Sequence, residues 1–571
     1  MKLVIAIFTL LLVVPQLFAQ QKLPAAAPLL SPSICGKGVY SFWLGDQSMG
    51  REEFETKCQP DGGYLTTGHT ELKSPAGAVD LNTSLEVDKS GEPLLSTAKG
   101  TVNGKPFDQS ITVKNGTATI SSAGGTKEIP FAKGTSLLGG NIFSMFQFLL
   151  ARFDPSKEQS QQVKIFPNLS GKIERLGQDE VQETGISASP TPTPFDRYSI
   201  TVATSNLIAW VDSKGRIAVL AIPLQNFAVV REEYSSFVPS FKSILSEKMK
   251  ESEPDYSAPA NARFTAEEVT VEAKGFTLAG TLLLPKTGKA PYPVVVMITG
   301  SGQQTRDEFL PLPGLEKYRP FRQIDEVLAD NGIAALRVDD RGVGKSKGLE
   351  TLKTATSASF ADDVRAQIAY LRSRRDIDPN RIALIGHSEG GMIAPMVAET
   401  DPKVAAIVLM AGTAKRGETI IAYQVDQSLE GDTSMTDQAR AKARADQAEA
   451  MRKAIAGDES APEPLRVPWT RYFLTYDPLP TIKKVKQPIL ILQGEFDRQV
   501  TADQAEMLSK AAREAGNKDV TIHVFPGLNH LFLPSKTGAV AEYSSLETNT
   551  IPDSVIKPLT DWLVKELKVA K

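Results

Sequence analysis

Two patterns of apolar and polar positions divide this chain. From about Ser33 to Ser246, apolar residues alternate with polar ones at period two between turn signals, as half-buried strands require. In "SITVKNGTATISS", Ile111 and Val113 on one side and Ala118 and Ile120 on the other flank Asn115-Gly116, a pair suited to a two-residue hairpin. "LEVDKSGEPLL" and "AWVDSKGRIAVLAIP" repeat the arrangement around Ser90-Gly91 and Lys214-Gly215. This half is expected to be a mainly antiparallel β-sheet domain, and the lack of a blade-length repeat argues against a propeller. "NIFSMFQFLLARF" breaks the alternation and reads as a helix covering one face of the sheet, whereas "SASPTPTPF" reads as an exposed spacer. A curved sheet with a helix across it can cradle an apolar ligand, although most such sheets bury only their own core.

"ESEPDYSAPANARF", Glu251 to Phe264, is acidic, rich in Pro and Ala and without apolar period, so 251–264 reads as a linker between a β-rich domain over 20–250 and a second domain over 265–571. After it come "YPVVVMITG", "IAALRVDD", "RIALIGH", "VAAIVLMAG", "QPILILQGEFD" and "VTIHVFPG", nearly continuous apolar runs that suit strands of a parallel sheet buried on both faces. Amphipathic segments separate them; in "SFADDVRAQIAYLRSRR", Phe360, Val364, Ile368 and Leu371 share one face. The alternation predicts a doubly wound α/β domain that binds ligands beyond the C-terminal ends of its strands. Between "VLMAG" and "QPILIL" the rhythm is interrupted, and 413–477 reads as a lid insertion whose "TDQARAKARADQAEAMRKAIAG" has high helix propensity but little apolar surface, a mobile or solvated helix. "PWTRYFLTYDP" brings Trp469, Tyr472, Phe473 and Tyr476 to the expected pocket mouth, either to line an acyl or aromatic site or to dock the lid.

At 571 residues the chain exceeds one typical core, in keeping with two domains. A formal charge of -3 and the lack of any basic block argue against nucleic acid as a partner. "MKLVIAIFTLLLVVPQLFAQ" has one lysine, an apolar run from Leu3 to Val14 and then Ala19, the layout of an export signal over 1–19; the run falls short of a membrane span. The protein is therefore expected outside the cytoplasm, periplasmic or secreted, without a stable membrane anchor. In that setting Cys35 and Cys58, the two cysteines of the chain, are expected to pair. Two cysteines and four scattered histidines offer no ligand set at zinc spacing, so no metal and no cofactor are expected.

The chemistry centres on "RIALIGHSEGGMIAP". A strand runs into a knot of glycines around Ser388 and then into a helical pattern, the sequence form of a strained strand-turn-helix in which small residues at Gly386 and Gly390 let the hydroxyl project. A serine needs a base, and the base an acid. Of the histidines, His69 lies in the other domain, His387 points away from the hydroxyl and His523 sits within a strand in a structural role, which leaves His530 in "PGLNHLF" as the base. Just past the strand "ILILQGEFDRQV", Asp497 is preferred to Glu495 as the acid because it clears the sheet edge. For the oxyanion hole, the glycines of "VVVMITGSGQQTRD" point to the Ser301 N–H, with the Glu389 N–H as its partner. The Glu389 carboxylate is expected to cap the helix after the serine, and Arg337, Asp340 and Arg341 to brace a loop as one charge network.

Taken together, "TGSG", "DDRGVGKS", "GHSEGG", "GEFDRQV" and "GLNHLF" resemble the α/β-hydrolase superfamily, in particular bacterial esterases related to the dienelactone hydrolase and serine aminopeptidase-like branches. The resemblance runs from about Phe264 to the C-terminus. It implies a carboxylic-ester hydrolase acting on a small-molecule ester, with Ser388 as nucleophile, Asp497 as acid and His530 as base. Many relatives carry His-Gly where this chain has Thr299-Gly300. Two other functions fit the same residues: a serine peptidase or amidase using the same triad, or a lipid- or glycan-binding protein in which the hydrolase domain is a scaffold.

Overall fold

The computed structural model describes residues 28–569 apart from 45–46, 75–76, 123–124, 140–141, 168, 185–191, 203–204, 223–226, 252–254, 311–314, 316, 432–436 and 463–464. The expected export segment thus lies outside the described residues. The chain divides into two compact units, Met1–Glu253 and Pro254–Lys571. No helix among the described residues is long and apolar enough to cross a membrane.

In the first unit, fifteen strands from Gly36–Leu44 to Phe227–Arg231 make one sheet. Each strand lies beside its successor in two meanders, which join where Tyr40 to Leu44 pairs antiparallel with Phe227 to Arg231. Asn115 and Gly116 turn the hairpin between Lys105–Lys114 and Thr117–Ser122 with φ of 52° and 74°, the left-handed region that the Asn-Gly pair tolerates. The other two turns share one device: an aspartate oxygen, of Asp88 or of Asp212, accepts the backbone N–H groups two and four residues later. The helix expected over "NIFSMFQFLLARF" is only Phe146–Leu150. The residues before it are held by the buried Glu52 carboxylate, which accepts the N–H of Phe143 at 2.8 Å and the N–H and hydroxyl of Ser144, and they form a turn that leads into the helix. Burial nevertheless pushes Glu52 up to about 7. Part of the expected spacer "SASPTPTPF" lies outside the described residues, and the rest is strand: Thr193–Val202 buries Phe195 among Tyr234, Phe237 and Phe241. Cys35 and Cys58 form a disulfide with Cα atoms 5.8 Å apart, linking the start of one strand to the end of the next.

The second unit is built on eight strands: β1 (Phe264–Glu272), β2 (Thr277–Pro285), β3 (Tyr292–Ile298), β4 (Ala334–Val338), β5 (Ile377–His387), β6 (Val404–Met410), β7 (Ile489–Gly494) and β8 (Val520–Phe525). Their spatial order is β1-β2-β4-β3-β5-β6-β7-β8, antiparallel up to the β2/β4 pair and parallel thereafter. Alternate side chains enter separate cores on the two faces: Val294, Val296, Ile382 and Leu384 on one, Val295, Met297, Ala383 and Ile385 on the other. Burial on both sides is why most of these segments read as unbroken apolar runs; β8, expected to be buried likewise, is the sheet's edge and leaves His523 and Val524 exposed. The hairpin β1–β2, not anticipated from the sequence, extends the sheet by two antiparallel strands. Part of the expected linker belongs to this unit: the carbonyls of Asp255 and Ser257 accept from Arg322, Tyr256 lies 4.1 Å under the Arg306 guanidinium, and Phe264 already starts β1.

Helices α1 (Pro320–Asp330), α2 (Ser357–Ser373) and α3 (Glu389–Ala398) follow β3, β4's loop and β5. Thr356 and Ser359 form a capping box at the start of α2, and Val364, Ile368 and Leu371 turn its apolar face into the core. Between β6 and β7 stand α4 (Gly417–Gly431), α5 (Asp437–Ala456) and α6 (Pro468–Thr475). The long α5 is less free than its sequence implies, because Met451 and Ala454 bury against Leu474 of α6 and Ala461.

Candidate active site

The turn after β5 holds Ser388 at φ 54° and ψ -115°, a conformation costly for any residue with a Cβ. Its surroundings explain the glycines. A Cβ at Gly386 would lie 2.0 Å from the Gly390 carbonyl oxygen, and one at Gly390 would lie 2.1 Å from that of Ile298 on β3. Strand, turn and helix therefore meet backbone to backbone, and the Ser388 N–H donates to Met410 O at the end of β6 (2.8 Å).

His530 and Asp497 stand past β8 and β7. His530 Nδ1 lies 2.8 Å from Asp497 Oδ2, and both side chains are buried. The aspartate is itself fixed: Oδ1 accepts the N–H groups of Gln499 and Val500, and Oδ2 the amide of Gln493. A carboxylate so held orients the imidazole in the tautomer whose Nε2 is free to take a proton. The base loop is braced as well, since Asn529 Oδ1 accepts the N–H groups of Leu531 and Leu533 while the buried Tyr318 hydroxyl donates to Leu531 O (2.9 Å). Sequence reasoning passed over Gln493, although an amide within the apolar run "ILILQG" was a visible signal.

On the oxyanion side, the Gly300 N–H donates to Glu308 Oε1 (2.7 Å), and a Cβ at Gly300 would approach both that oxygen, at 3.1 Å, and the Ser388 Cβ, at 3.3 Å. The loop carrying Ser301 is thereby pressed against the elbow. Glu389 does not cap α3 with its side chain. Its buried Oε1 accepts from the Ser357 hydroxyl at 2.6 Å and from Trp469 Nε1 at 2.8 Å, because the elbow turns this side chain toward α2 and α6. Burial raises its pKa, and these donors together with the Ser301 hydroxyl oppose the rise.

Trp469 therefore ties the helical insertion to the residue after Ser388, and Gln424 on α4 donates to Gln499 O beside the acid (3.1 Å). Trp469 stacks on Phe473 and Tyr472 on Tyr476, each pair with centroids 5.4 Å apart, and Phe473 is buried. This supports the docking role for the aromatic cluster.

Arg337, Asp340 and Arg341 do not form one network, because alternation along the strand and loop sends them in different directions. Arg337 pairs with Asp307 and Asp325 inside the domain, and Arg341 with Asp363 at 2.8 Å. Asp340 accepts from the Thr299 hydroxyl and the Gln304 N–H, yet burial pushes it up to about 8. The remaining histidines lie elsewhere: His523 is exposed on β8, and His69 sits on the first sheet 3.0 Å from Asp80. Glu71, directly across from Asp80, completes a partly exposed trio whose ligand atoms lie within 4.8 Å of one another, which cross-strand pairing brings together and linear spacing conceals.

Residues 314–536 match the family described as Serine aminopeptidase, S33. The esterase EstD of Thermotoga maritima is 29% identical over 317 residues, 55% of this chain and 70% of its own. The second domain has the α/β-hydrolase fold, and its matches to the S33 model and to EstD make it similar to serine hydrolases. Among solved structures, the Pyrococcus furiosus esterase Pf2001 aligns at 15% identity with a TM-score of 0.36, covering 54% of this chain and 94% of its own. Est1E from Butyrivibrio proteoclasticus aligns at 15% identity with a TM-score of 0.33, covering 53% and 99%.

Proposed function

We propose that this protein cleaves carboxylic esters of short to medium acyl chains through a Ser388–His530–Asp497 triad. The observation that carries the reading is the 2.8 Å His530–Asp497 pair, buried at the same sheet edge as a serine held at φ 54°. His530 Nε2 takes the Ser388 proton as Oγ attacks the ester carbonyl, and the same proton passes to the departing alcohol. Water then adds to the acyl-enzyme with His530 again as base, releasing the acid and restoring the serine. The N–H groups of Ser301 and Glu389 receive the oxyanion in both steps.

A peptidase of the same fold is the second reading, favoured by the family description. An aminopeptidase needs a carboxylate open to the substrate amine, and Glu389 is closed off by Ser357 and Trp469. Full-length protein assayed on nitrophenyl esters of increasing chain length and on aminoacyl anilides separates the two. Ester turnover with an optimum at short to medium chains is the expected result; faster anilide cleavage would transfer the site to the peptidase reading.

The disulfide supports an oxidising compartment and hence export. Mass spectrometry of protein from the extracytoplasmic fraction is expected to find a mature N-terminus at Gln20. An intact Met1 in cytoplasmic protein would contradict it.

A further inference from the structure

Three chain segments that the triad needs meet at one buried pair of side chains. Glu308 Oε1 accepts the Gly300 N–H at 2.7 Å on the oxyanion loop and faces His387 Nδ1 at 2.9 Å. His387 Nε2 lies 3.0 Å from the carbonyl oxygen of His530, and its own backbone leads directly into Ser388. Glu308 and His387 are 3% and 7% exposed, so water does not compete for either partner. Glu308 also has φ 56°, a left-handed conformation that a non-glycine residue keeps only when its surroundings impose it.

Both partners of the His387 ring are acceptors. With Glu308 ionised, its oxygen cannot donate to Nδ1, and a backbone carbonyl cannot donate to Nε2, so both ring nitrogens then carry protons. We infer that His387 is a buried imidazolium which, paired with Glu308, positions the oxyanion loop and the base loop around Ser388.

The inference rests on the triad reading and adds a positioning pair to it. The carboxylate fixes the peptide before Ser301, the imidazolium fixes the backbone of His530, and the covalent chain fixes the nucleophile. Burial works against the charged ring, but the Glu308 carboxylate, the His530 carbonyl and the more distant Asp497 outweigh it and raise the His387 pKa. Glu308 in turn raises the pKa values of Asp340 and Tyr318, neither of which supplies it with a positive charge. His530 itself packs with its ring centroid 4.9 Å from that of His387. The two ring nitrogens let the one side chain before the serine reach both loops at once.

The test is nitrogen NMR of the full chain labelled at histidine, in which only four rings need assignment and His69→Gln and His523→Gln remove two of them. At pH 7.5, His387 is expected to show both nitrogens protonated, and Glu308→Gln to convert it to a neutral ring. The same variant is expected to lose about 30- to 100-fold in kcat on a nitrophenyl ester with KM within about threefold, as for donors that act in the transition state. A neutral His387 in the parent protein, or an unchanged kcat in Glu308→Gln, would overturn the inference. If Glu308→Gln fails to fold, the spectrum of the parent decides alone. Labelling of Ser388 by a fluorophosphonate in the parent reports on the triad separately: failure to label would discard the triad reading while leaving the protonation of His387 measured.

Discussion

Ser388→Ala is expected to reduce kcat for ester hydrolysis by about 10⁶-fold, with no change in the urea transition. The substitution removes the attacking oxygen but keeps the Cβ, so the backbone at φ 54° and ψ -115° is neither relieved nor worsened. The His530–Asp497 pair and the loop at Gly300 keep their partners, none of which is the Ser388 hydroxyl. Ser388→Gly should be equally inactive yet more stable than the alanine variant by about 1 kcal/mol, because glycine occupies positive φ without the steric cost. The difference between the two variants measures the strain held for function. Asp497→Asn should lose about 10⁴-fold, since an amide facing Nδ1 no longer enforces the tautomer that leaves Nε2 free. Residual turnover above about 1% in Ser388→Ala would place hydrolysis at another residue.

The elements most legible in the sequence are those whose signal is local. The apolar runs from Tyr292 to Gly494 declared buried strands, and Asn115-Gly116 declared a hairpin, because burial and turn geometry act on neighbouring residues. The meeting of His530 with Asp497 was legible for a related reason: a charged residue just past an apolar run stands at a strand's end, as Asp497 does. What stayed hidden depends on chain returning from far away. Nothing in "TRDEFLP" marks Glu308 as a partner of His387, 79 residues on. Glu389 looked like a helix cap because its position in α3 suits one, but a partly buried indole and a buried serine, 80 and 32 residues distant, take the carboxylate in place of the helix's own N–H groups. The helix expected over 141–153 is confined to Phe146–Leu150, and the N–H groups of Phe143 and Ser144 before it go to Glu52, 91 residues from Phe143. The strand β1 was hidden because Phe264–Glu272 carries no unbroken apolar run and alternates between buried and exposed positions.

The buried charge behind the site sets the second large expectation, on stability instead of turnover. Arg337 on β4 is 1% exposed and pairs with Asp307 and Asp325, both fully buried, while Asp307 has a second partner in Arg319 at 2.9 Å. Burial and, after it, the neighbouring Arg306 guanidinium lower the Arg337 pKa to about 9. Arg337→Met keeps the length and apolar stem but leaves Asp325 without its cation, and it is expected to cost about 3–5 kcal/mol in the urea transition that tracks loss of activity. The double variant Arg337→Met/Asp325→Leu should recover most of that loss, because no uncompensated charge remains and Asp307 retains Arg319. The pH dependence of the single variant follows from Asp325. Burial holds its carboxyl well above the ordinary carboxylate range. A group with a higher pKa folded than unfolded favours the fold at low pH and loses that contribution as the pH rises through its folded pKa. The deficit of Arg337→Met should therefore be smaller at pH 5 than at pH 8. A deficit that does not change with pH, or one that the double variant fails to reduce, would mean that Arg337 stabilises the domain by packing and not by compensating buried carboxylates. Because Asp307 directly precedes Glu308, the same variant should also lose activity at denaturant concentrations below its unfolding transition, as the segment that holds the oxyanion loop loosens first.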